Sequence, residues 1–251
     1  MRSLAFTLTA LLALHSPPLA AQASCSSDGA PRPVALFERF ISADCEACWS
    51  DPATPAPGSD ALVLDWIVPG TLGDDAPLSA AASADALGRL QALGRQVPAT
   101  TDVHTAPVAG ASSGRLRVAH GMAFNDYLGT SIAFTPVRAA AGRNAPSAPW
   151  RFFLLLVETA PAGTEGSPVA RNIARNLLQG LWNQREHPSQ AEPKRWMEAR
   201  PMRIPEGARP ERLRVVGWVQ DAQGRVVAAA QSHCGAQPGG QQGHDENPAR
   251  G

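Results

Sequence analysis

The chain of 251 residues contains a single lysine, Lys194, and carries no net charge, because 22 basic and 22 acidic residues cancel. A protein that binds nucleic acid through its charge normally has a clear basic excess, so we expect no nucleic-acid partner. Beyond the N-terminal segment, no apolar run reaches the roughly 20 residues that a membrane-spanning helix needs, and we expect no transmembrane segment. The sequence predicts no cofactor.

The N-terminus has the three-part pattern of a secretory signal peptide over residues 1–23. Met1-Arg2 supplies the positive start, residues 4–14 form a short apolar run, and Ala21-Gln22-Ala23 provides the small-residue cleavage signal. We expect the mature chain to begin at Ser24 and to be periplasmic or secreted.

Export changes the interpretation of the cysteines, because disulfides persist outside the cytosol. Four cysteines, Cys25, Cys45, Cys48 and Cys234, allow three pairings. If Cys45 and Cys48 pair locally, Cys25 and Cys234 remain as a natural pair that joins the two ends of the folded part. In the chain-entropy model a loop of that length contributes on the order of 4–5 kcal/mol. Lipid attachment at Cys25 is an alternative, and it would exclude this bond.

The segment SADCEACWSDP (42–52) holds Cys45 and Cys48 in a C-x-x-C motif. Three functions are compatible with that spacing: disulfide exchange, a structural staple, or metal binding. In an exchange reaction Cys45 would attack and Cys48 would resolve the mixed disulfide. The carboxylates of Asp44 and Glu46 flank Cys45 and disfavour its thiolate. Metal binding needs further ligands, and we expect no metal site because the histidines beyond the predicted signal peptide lack ligand spacing: His104, His120, His187, His233 and His244.

Apolar patterns predict strands in both halves of the chain, and helical spacing predicts two helices. One helix is expected in residues 73–96, and the other begins at Ser167 as N-cap and carries an apolar stripe at every fourth residue to Leu181. Asp221–Gly224 fits the tight turn of a β-hairpin. The expected strands are 32–42, 61–70, 100–110, 114–124, 130–139 and 151–159, with the hairpin over 213–234.

The opening VALFERFISADCEACW resembles a widespread group of bacterial secreted thioredoxin-like proteins of unknown function, which begin with a strand of the form VELFTSxGCxxC. Residues Val34, Leu36, Phe37, Cys45 and Cys48 match that opening. The second half resembles the C-terminal β-rich domain of the same group, through ARNIARNLL followed by RVVGWVQDAQGRVVAAA. The resemblance covers most of the mature chain, although only the C-x-x-C is specific.

The resemblance implies an α/β thioredoxin-like domain, here shortened, over residues 24–112. The apolar patterns of the second half predict a mainly antiparallel β-sandwich with one helix over 113–234, and the polar, glycine-rich composition of 235–251 predicts a disordered tail. A thioredoxin fold also places a cis-proline against its cysteines, and Pro107 is the best candidate, with Pro98 as runner-up. Of the histidines, His104 beside Pro107 is the best placed to approach the motif, although an ordinary surface histidine is the favoured interpretation.

Two functions follow from these observations. The first is thiol-disulfide exchange with periplasmic protein thiols or disulfides through Cys45 and Cys48. The second is a non-catalytic periplasmic binding or assembly protein, in which a degenerate thioredoxin-like scaffold keeps the motif only as a structural disulfide.

Overall fold

A computed structural model describes residues 25–109, 114–137, 149–182 and 195–234. The predicted signal peptide and the predicted tail lie outside these ranges, as do Lys194, His187 and His244. None of the described helices is long and apolar enough to cross a membrane.

Strands dominate the described part of the chain. In chain order the elements are β1 (Cys25–Ser26), β2 (Ala35–Ser42), α1 (Glu46–Ser50), β3 (Ala61–Val68), α2 (Ala84–Ala92), β4 (Thr101–Pro107), β5 (Gly114–Phe124), β6 (Tyr127–Pro136), β7 (Trp150–Ala160), β8 (Arg171–Trp182), β9 (Trp196–Arg203), β10 (Leu213–Gln220), β11 (Val226–Gln231) and β12 (His233–Cys234).

The strands form two sheets. The first is antiparallel and has the order β12-β1-β5-β6-β9, and the second has seven strands in the order β11-β10-β7-β8-β3-β2-β4. In the second sheet β3 lies parallel to both β2 and β8, while the other neighbours are antiparallel.

The two sheets pack face to face through the inward side chains of β5 and β6 on one side and β7 and β10 on the other. Val118 and Ile132 of the first sheet are fully buried in the same cluster as Leu154 and Val215 of the second. Gly217 allows the close approach, because a Cβ at this position would lie 2.7 Å from Val118 Cγ1 and 2.9 Å from Ile132 Cδ1. One buried cluster therefore lies between the sheets, and a second lies on the opposite face of the seven-stranded sheet.

Helix α2 covers the opposite face of the seven-stranded sheet. Ser83 caps it by accepting a hydrogen bond from the backbone N–H of Ala86. Its buried Arg89 donates two hydrogen bonds, of 2.8 and 2.7 Å, to the carboxylate of Glu38 in β2. This ion pair is fully desolvated, and the Arg89 guanidinium also lies 5.2 Å from the ring centre of Trp218. The pair fixes the helix against the middle of the sheet.

The predicted α/β thioredoxin-like domain is wrong. The described chain is mainly β, with two short α-helices and the two sheets given above. The helix expected in residues 73–96 is shorter in the structure, where only Ala84–Ala92 form α2. Single 3₁₀ turns precede it at Gly73–Asp75 and Ser79–Ala81. The segments on either side of residue 112 also share one sheet, because β2, β3 and β4 continue the strands β7, β8, β10 and β11.

The second predicted helix is also wrong, because residues 171–182 form strand β8. Its apolar residues do recur at helical spacing, but β8 pairs antiparallel with β7 from Ala160↔Arg171 to Trp150↔Trp182. The long ladder between β8 and the buried strand β7 stabilises the extended form by more than the weak intrinsic preference of the segment for a helix opposes it. Ser167, the expected N-cap, instead accepts a hydrogen bond of 2.8 Å from Arg171 Nε.

Candidate functional site: the disulfide loop at the end of strand β2

The C-x-x-C motif lies at the end of the seven-stranded sheet where the parallel strands β2 and β3 both finish. Ser42 ends β2, and the chain turns through Asp44 into the five-residue helix α1. Cys45 and Cys48 are joined by a disulfide, and both are half-buried. The disulfide is thus held at the C-terminal ends of the strands, between two residues that are partly accessible to solvent.

Cys45 caps α1 with its own sulfur. The backbone N–H of Cys48 donates to Cys45 Sγ at 3.2 Å and also contacts the Cys45 carbonyl oxygen at 3.1 Å. A donor aimed at a sulfur favours the thiolate when that sulfur is reduced. Cys45 is therefore the cysteine whose sulfur accepts a hydrogen bond from the backbone of its own loop.

The Asp44 carboxylate points to the neighbouring turn. It accepts hydrogen bonds from the backbone N–H of Thr71 at 2.7 Å, from the Thr71 hydroxyl at 2.9 Å and from the Leu72 N–H at 3.3 Å. Desolvation opposes ionisation, but these donors outweigh it and hold the pKa of Asp44 below its ordinary value. The Asp44 charge is therefore shared with three donors, while Glu46 is exposed to solvent.

Trp49 anchors the loop from beneath. Its side chain is buried, and its indole Nε1 donates to the carbonyl oxygen of Glu165 at 2.7 Å. Arg171 of β8 stacks on the same indole, with 4.9 Å between the guanidinium carbon and the ring centre. Arg171 Nη2 also donates to the Trp49 carbonyl oxygen at 2.7 Å and lies 3.5 Å from that of Cys48. The backbone of α1 is therefore fixed to the sheet by a buried cation.

The charge of Arg171 is balanced inside the protein by Asp65 of β3. Asp65 Oδ1 accepts from Arg39 Nε at 2.7 Å and lies 3.5 Å from Arg171 Nη1, and Asp65 Oδ2 accepts from the backbone N–H of Asn172 at 2.7 Å. Arg39, Asp65 and Arg171 are all essentially inaccessible to solvent. Burial lowers the pKa of Arg171 from its ordinary value, and the Asp65 carboxylate opposes that effect.

A surface cleft of about 290 Å³ opens beside Trp49. Ile67 and Ile173 contribute its apolar floor, and the pair Glu158–Arg175 lies in its lining, with 3.4 Å between Arg175 Nε and Glu158 Oε2. The cleft therefore offers both apolar and hydrogen-bonding surface next to the loop that carries the sulfurs.

The structure does not bring Pro107 or His104 to the motif. Strand β4 runs antiparallel to β2, so that Pro107 pairs with Ala35 and His104 with Glu38, whereas the motif follows Ser42 at the other end. Seven residues of extended strand separate Pro107 from that end, or about 23 Å. No cis peptide bond occurs within the described ranges, so Pro107 supplies no cis-proline contact to the cysteines.

The second disulfide joins Cys25 of β1 to Cys234 of β12, which are directly opposite each other in the antiparallel pair. Cys25 also lies opposite His120 of β5. His120 is buried, and this burial lowers its pKa from the ordinary value. The Cys25–Cys234 pairing expected from the sequence is present, whereas the position of His120 beside Cys25 was not predicted, because these residues are far apart along the chain.

The ionic group of Arg39, Asp65 and Arg171 beneath the C-x-x-C loop was not predicted from the sequence. Its signal is present in the strand segments ALVLDWIV, where Asp65 is the one charged residue, and ALFERFIS, where Arg39 follows Glu38 among apolar residues. A charge in a buried strand requires a partner, and the sheet register places the two residues opposite each other on β2 and β3. The buried position of Arg171 beneath the loop was not predicted, because its segment was assigned to a helix.

The resemblance of the opening segment to the secreted thioredoxin-like group stays a prediction, whereas the fold that it implied is wrong. The disulfide loop, the buried cation beneath it and the adjacent cleft are properties of a two-sheet scaffold. Comparison of the chain with models of known protein families, with curated proteins and with solved structures found no match.

Proposed function

We propose that the protein is an exported thiol-disulfide exchange protein that acts through Cys45 and Cys48 in the periplasm or outside the cell. The observation that carries the proposal is the partly exposed disulfide whose Cys45 sulfur accepts a hydrogen bond from the Cys48 N–H. The two disulfides are consistent with an oxidising compartment, and the signal pattern of residues 1–23 supports export.

In the reduced protein the Cys45 thiolate attacks one sulfur of a partner disulfide. A bond forms between Cys45 and that sulfur, and the other partner sulfur leaves as a thiolate that takes up a proton. Cys48 then loses its proton and attacks Cys45 Sγ, which restores the internal disulfide and releases the second partner thiolate. Two electrons pass to the partner, whose disulfide becomes two thiols, and the reverse sequence oxidises a partner dithiol.

The anchoring of the loop supports this chemistry. Because Arg171 and Glu165 hold the backbone and side chain of Trp49, breaking the disulfide leaves the carrier helix in place, and both thiols stay within reach of each other. The cleft beside Trp49 would accept a segment of extended polypeptide, and this favours protein disulfides over small ones as partners.

The test measures insulin reduction and the reduction potential of the Cys45–Cys48 pair, with alkylation and peptide mass analysis to identify which thiol reacts. We expect turnover that is lost in Cys45→Ser/Cys48→Ser and kept in the matched control Ser50→Ala, which changes an exposed residue of the same helix. We also expect Cys45 to be alkylated before Cys48. No turnover together with a potential well below about −300 mV would rule out the exchange function.

A binding or assembly function is the second candidate, and it is favoured by the tip of the β5–β6 hairpin. Met122 and Phe124 are 76% and 75% exposed there, with Tyr127 beside them. Large apolar side chains grouped on a surface commonly mark an interaction site. If Cys45→Ser/Cys48→Ser keeps the cellular phenotype while Met122→Ser/Phe124→Ser loses it, the binding function replaces the exchange function.

A further inference from the structure

Cys25, His120 and Cys234 meet on one face of the five-stranded sheet. Strand β1 lies between β12 and β5, and its Cys25 is directly opposite Cys234 on one side and His120 on the other. Directly opposed residues project from the same face of a sheet. One potential ligand atom from each of the three residues lies within 4.8 Å of the other two.

The orientation of the His120 ring suits a metal ligand. Its Nδ1 lies 2.9 Å from the carbonyl oxygen of Gly121, and because a carbonyl can only accept, Nδ1 carries the proton and the lone pair is on Nε2. Histidines that bind metals usually donate their other ring nitrogen to a carbonyl or carboxylate in this way, which fixes the tautomer and the ring.

The two sulfurs become ligands only when their disulfide is reduced, because thiolates rather than disulfides bind zinc. Cys234 is exposed, whereas Cys25 is buried. The thiolate of an external dithiol can therefore attack Cys234 Sγ and release Cys25 as the leaving thiolate. The second thiol of the reductant then displaces Cys234, so that the reductant leaves as a disulfide and the protein holds two thiols.

We propose that Cys25, His120 and Cys234 form a redox-gated zinc site, which is a structural disulfide when oxidised and a Cys₂His site when reduced. Binding of Zn²⁺ releases the two thiol protons, and the two thiolates neutralise the charge of the ion. Two sulfurs and one imidazole nitrogen are a common zinc donor set, and the solvent-facing side of Cys234 leaves the fourth position to water. When the disulfide is reduced, the bound ion connects β12 to β1 in its place and also connects both strands to β5 through His120.

The experiment uses the full chain with Cys45→Ser/Cys48→Ser, so that reduction yields thiols only from Cys25 and Cys234. The reduced protein is freed of reductant and titrated with Co²⁺, whose thiolate charge-transfer and tetrahedral absorption bands report the ligands. We expect one Co²⁺ per chain, displacement by Zn²⁺, and no binding by the oxidised protein. In His120→Gln the affinity should fall by about tenfold or more, whereas the exposed His233→Gln serves as the matched control and should bind normally.

X-ray absorption of the zinc form provides a readout that does not depend on a variant. We expect two sulfurs at about 2.3 Å and at least one nitrogen at about 2.0 Å from the metal. A Co²⁺ spectrum without thiolate bands, a first shell with fewer than two sulfurs, or unchanged affinity in a folded His120→Gln would overturn the proposal. The catalytic assays with insulin are independent of this result, because they use the other pair of cysteines.

Discussion

The guanidinium carbon of Arg171 lies 4.9 Å from the ring centre of Trp49, and the same guanidinium donates a 2.7 Å hydrogen bond to the carbonyl oxygen of Trp49. One buried cation thus contacts both the side chain and the backbone of the residue that follows the C-x-x-C motif. Since Asp65 balances that cation from β3, the loop with the two sulfurs is coupled to the centre of the seven-stranded sheet.

Asp65→Asn should reduce the free energy of unfolding by about 3–5 kcal/mol, because it leaves Arg39 and Arg171 buried without a counter-charge. Urea denaturation followed by tryptophan fluorescence measures the change. Asp60→Asn, at an exposed position just before β3, is the control and should leave the midpoint unchanged. Equal midpoints for the two variants would mean that Asp65 does not balance the buried arginines.

The two disulfides should contribute very unequally to stability. Cys25–Cys234 spans a sequence separation of 209 residues and Cys45–Cys48 only 3, and a longer closed loop restricts the unfolded chain more. In the chain-entropy model Cys25→Ala/Cys234→Ala costs about 5 kcal/mol and Cys45→Ala/Cys48→Ala about 1.5 kcal/mol. Urea denaturation of both variants without reductant measures the difference, and a larger loss from the local pair would contradict this expectation.

Stability should decrease as the pH falls below about 6.5, and His104 should account for part of the loss. Burial lowers the pKa of His104 from its ordinary value, although the nearby Glu38 carboxylate opposes the shift. The unfolded chain, with a histidine pKa of about 6.5, therefore binds the proton more readily than the folded chain. The contribution of the neutral side chain is complete above pH 6.5 and is lost as the pH falls toward the lowered pKa.

Unfolding midpoints in urea, measured at intervals between about pH 5 and pH 8, test this dependence. His104→Gln should flatten the curve in that range, whereas His233→Gln changes an exposed histidine and should leave its shape unchanged. A His104→Gln curve that is parallel to that of the unmodified protein would refute the role of His104.

Gly217→Ala should destabilise the protein by about 1–3 kcal/mol through overpacking, because the new methyl group would lie 2.7 Å from Val118 Cγ1. Gly129→Ala is the matched control, since it also lies in a strand but has no atom within 4 Å of the added Cβ. Thermal unfolding measures both. Adding Val118→Ala to Gly217→Ala should cost less than the sum of the single changes, and full additivity would argue against contact between the sheets at this point.

Local signals predicted the strands well where the residues that decide the structure are close in sequence. The turn at Asp221–Gly224 does connect β10 and β11, and the expected strand 114–124 coincides with β5. In each case the apolar pattern and the turn residues lie within about 20 residues of each other, so one short segment contains both of the strands that pair.

The errors concern structure that depends on distant partners. Strand β8 has the apolar spacing of a helix, and it becomes a strand because β7 and β3 supply its two neighbours. The position of Pro107 depends on the antiparallel direction of β4, which its own residues do not indicate. The C-x-x-C was recognisable from four residues, whereas Arg171 beneath it could be found only from the assembled sheet.

The pairing of Cys25 with Cys234 makes the folded chain a covalent ring. The backbone from β1 to β12 and the bond between the two sulfurs form a single closed path, with β1 and β12 side by side. A protease that cuts any one exposed connection opens this ring but does not divide the molecule, so the fragments stay attached and can still hold both sheets together. The same closure means that new chain ends could be created at a surface turn, such as Asn125-Asp126 between β5 and β6, without separating any strand from its partners.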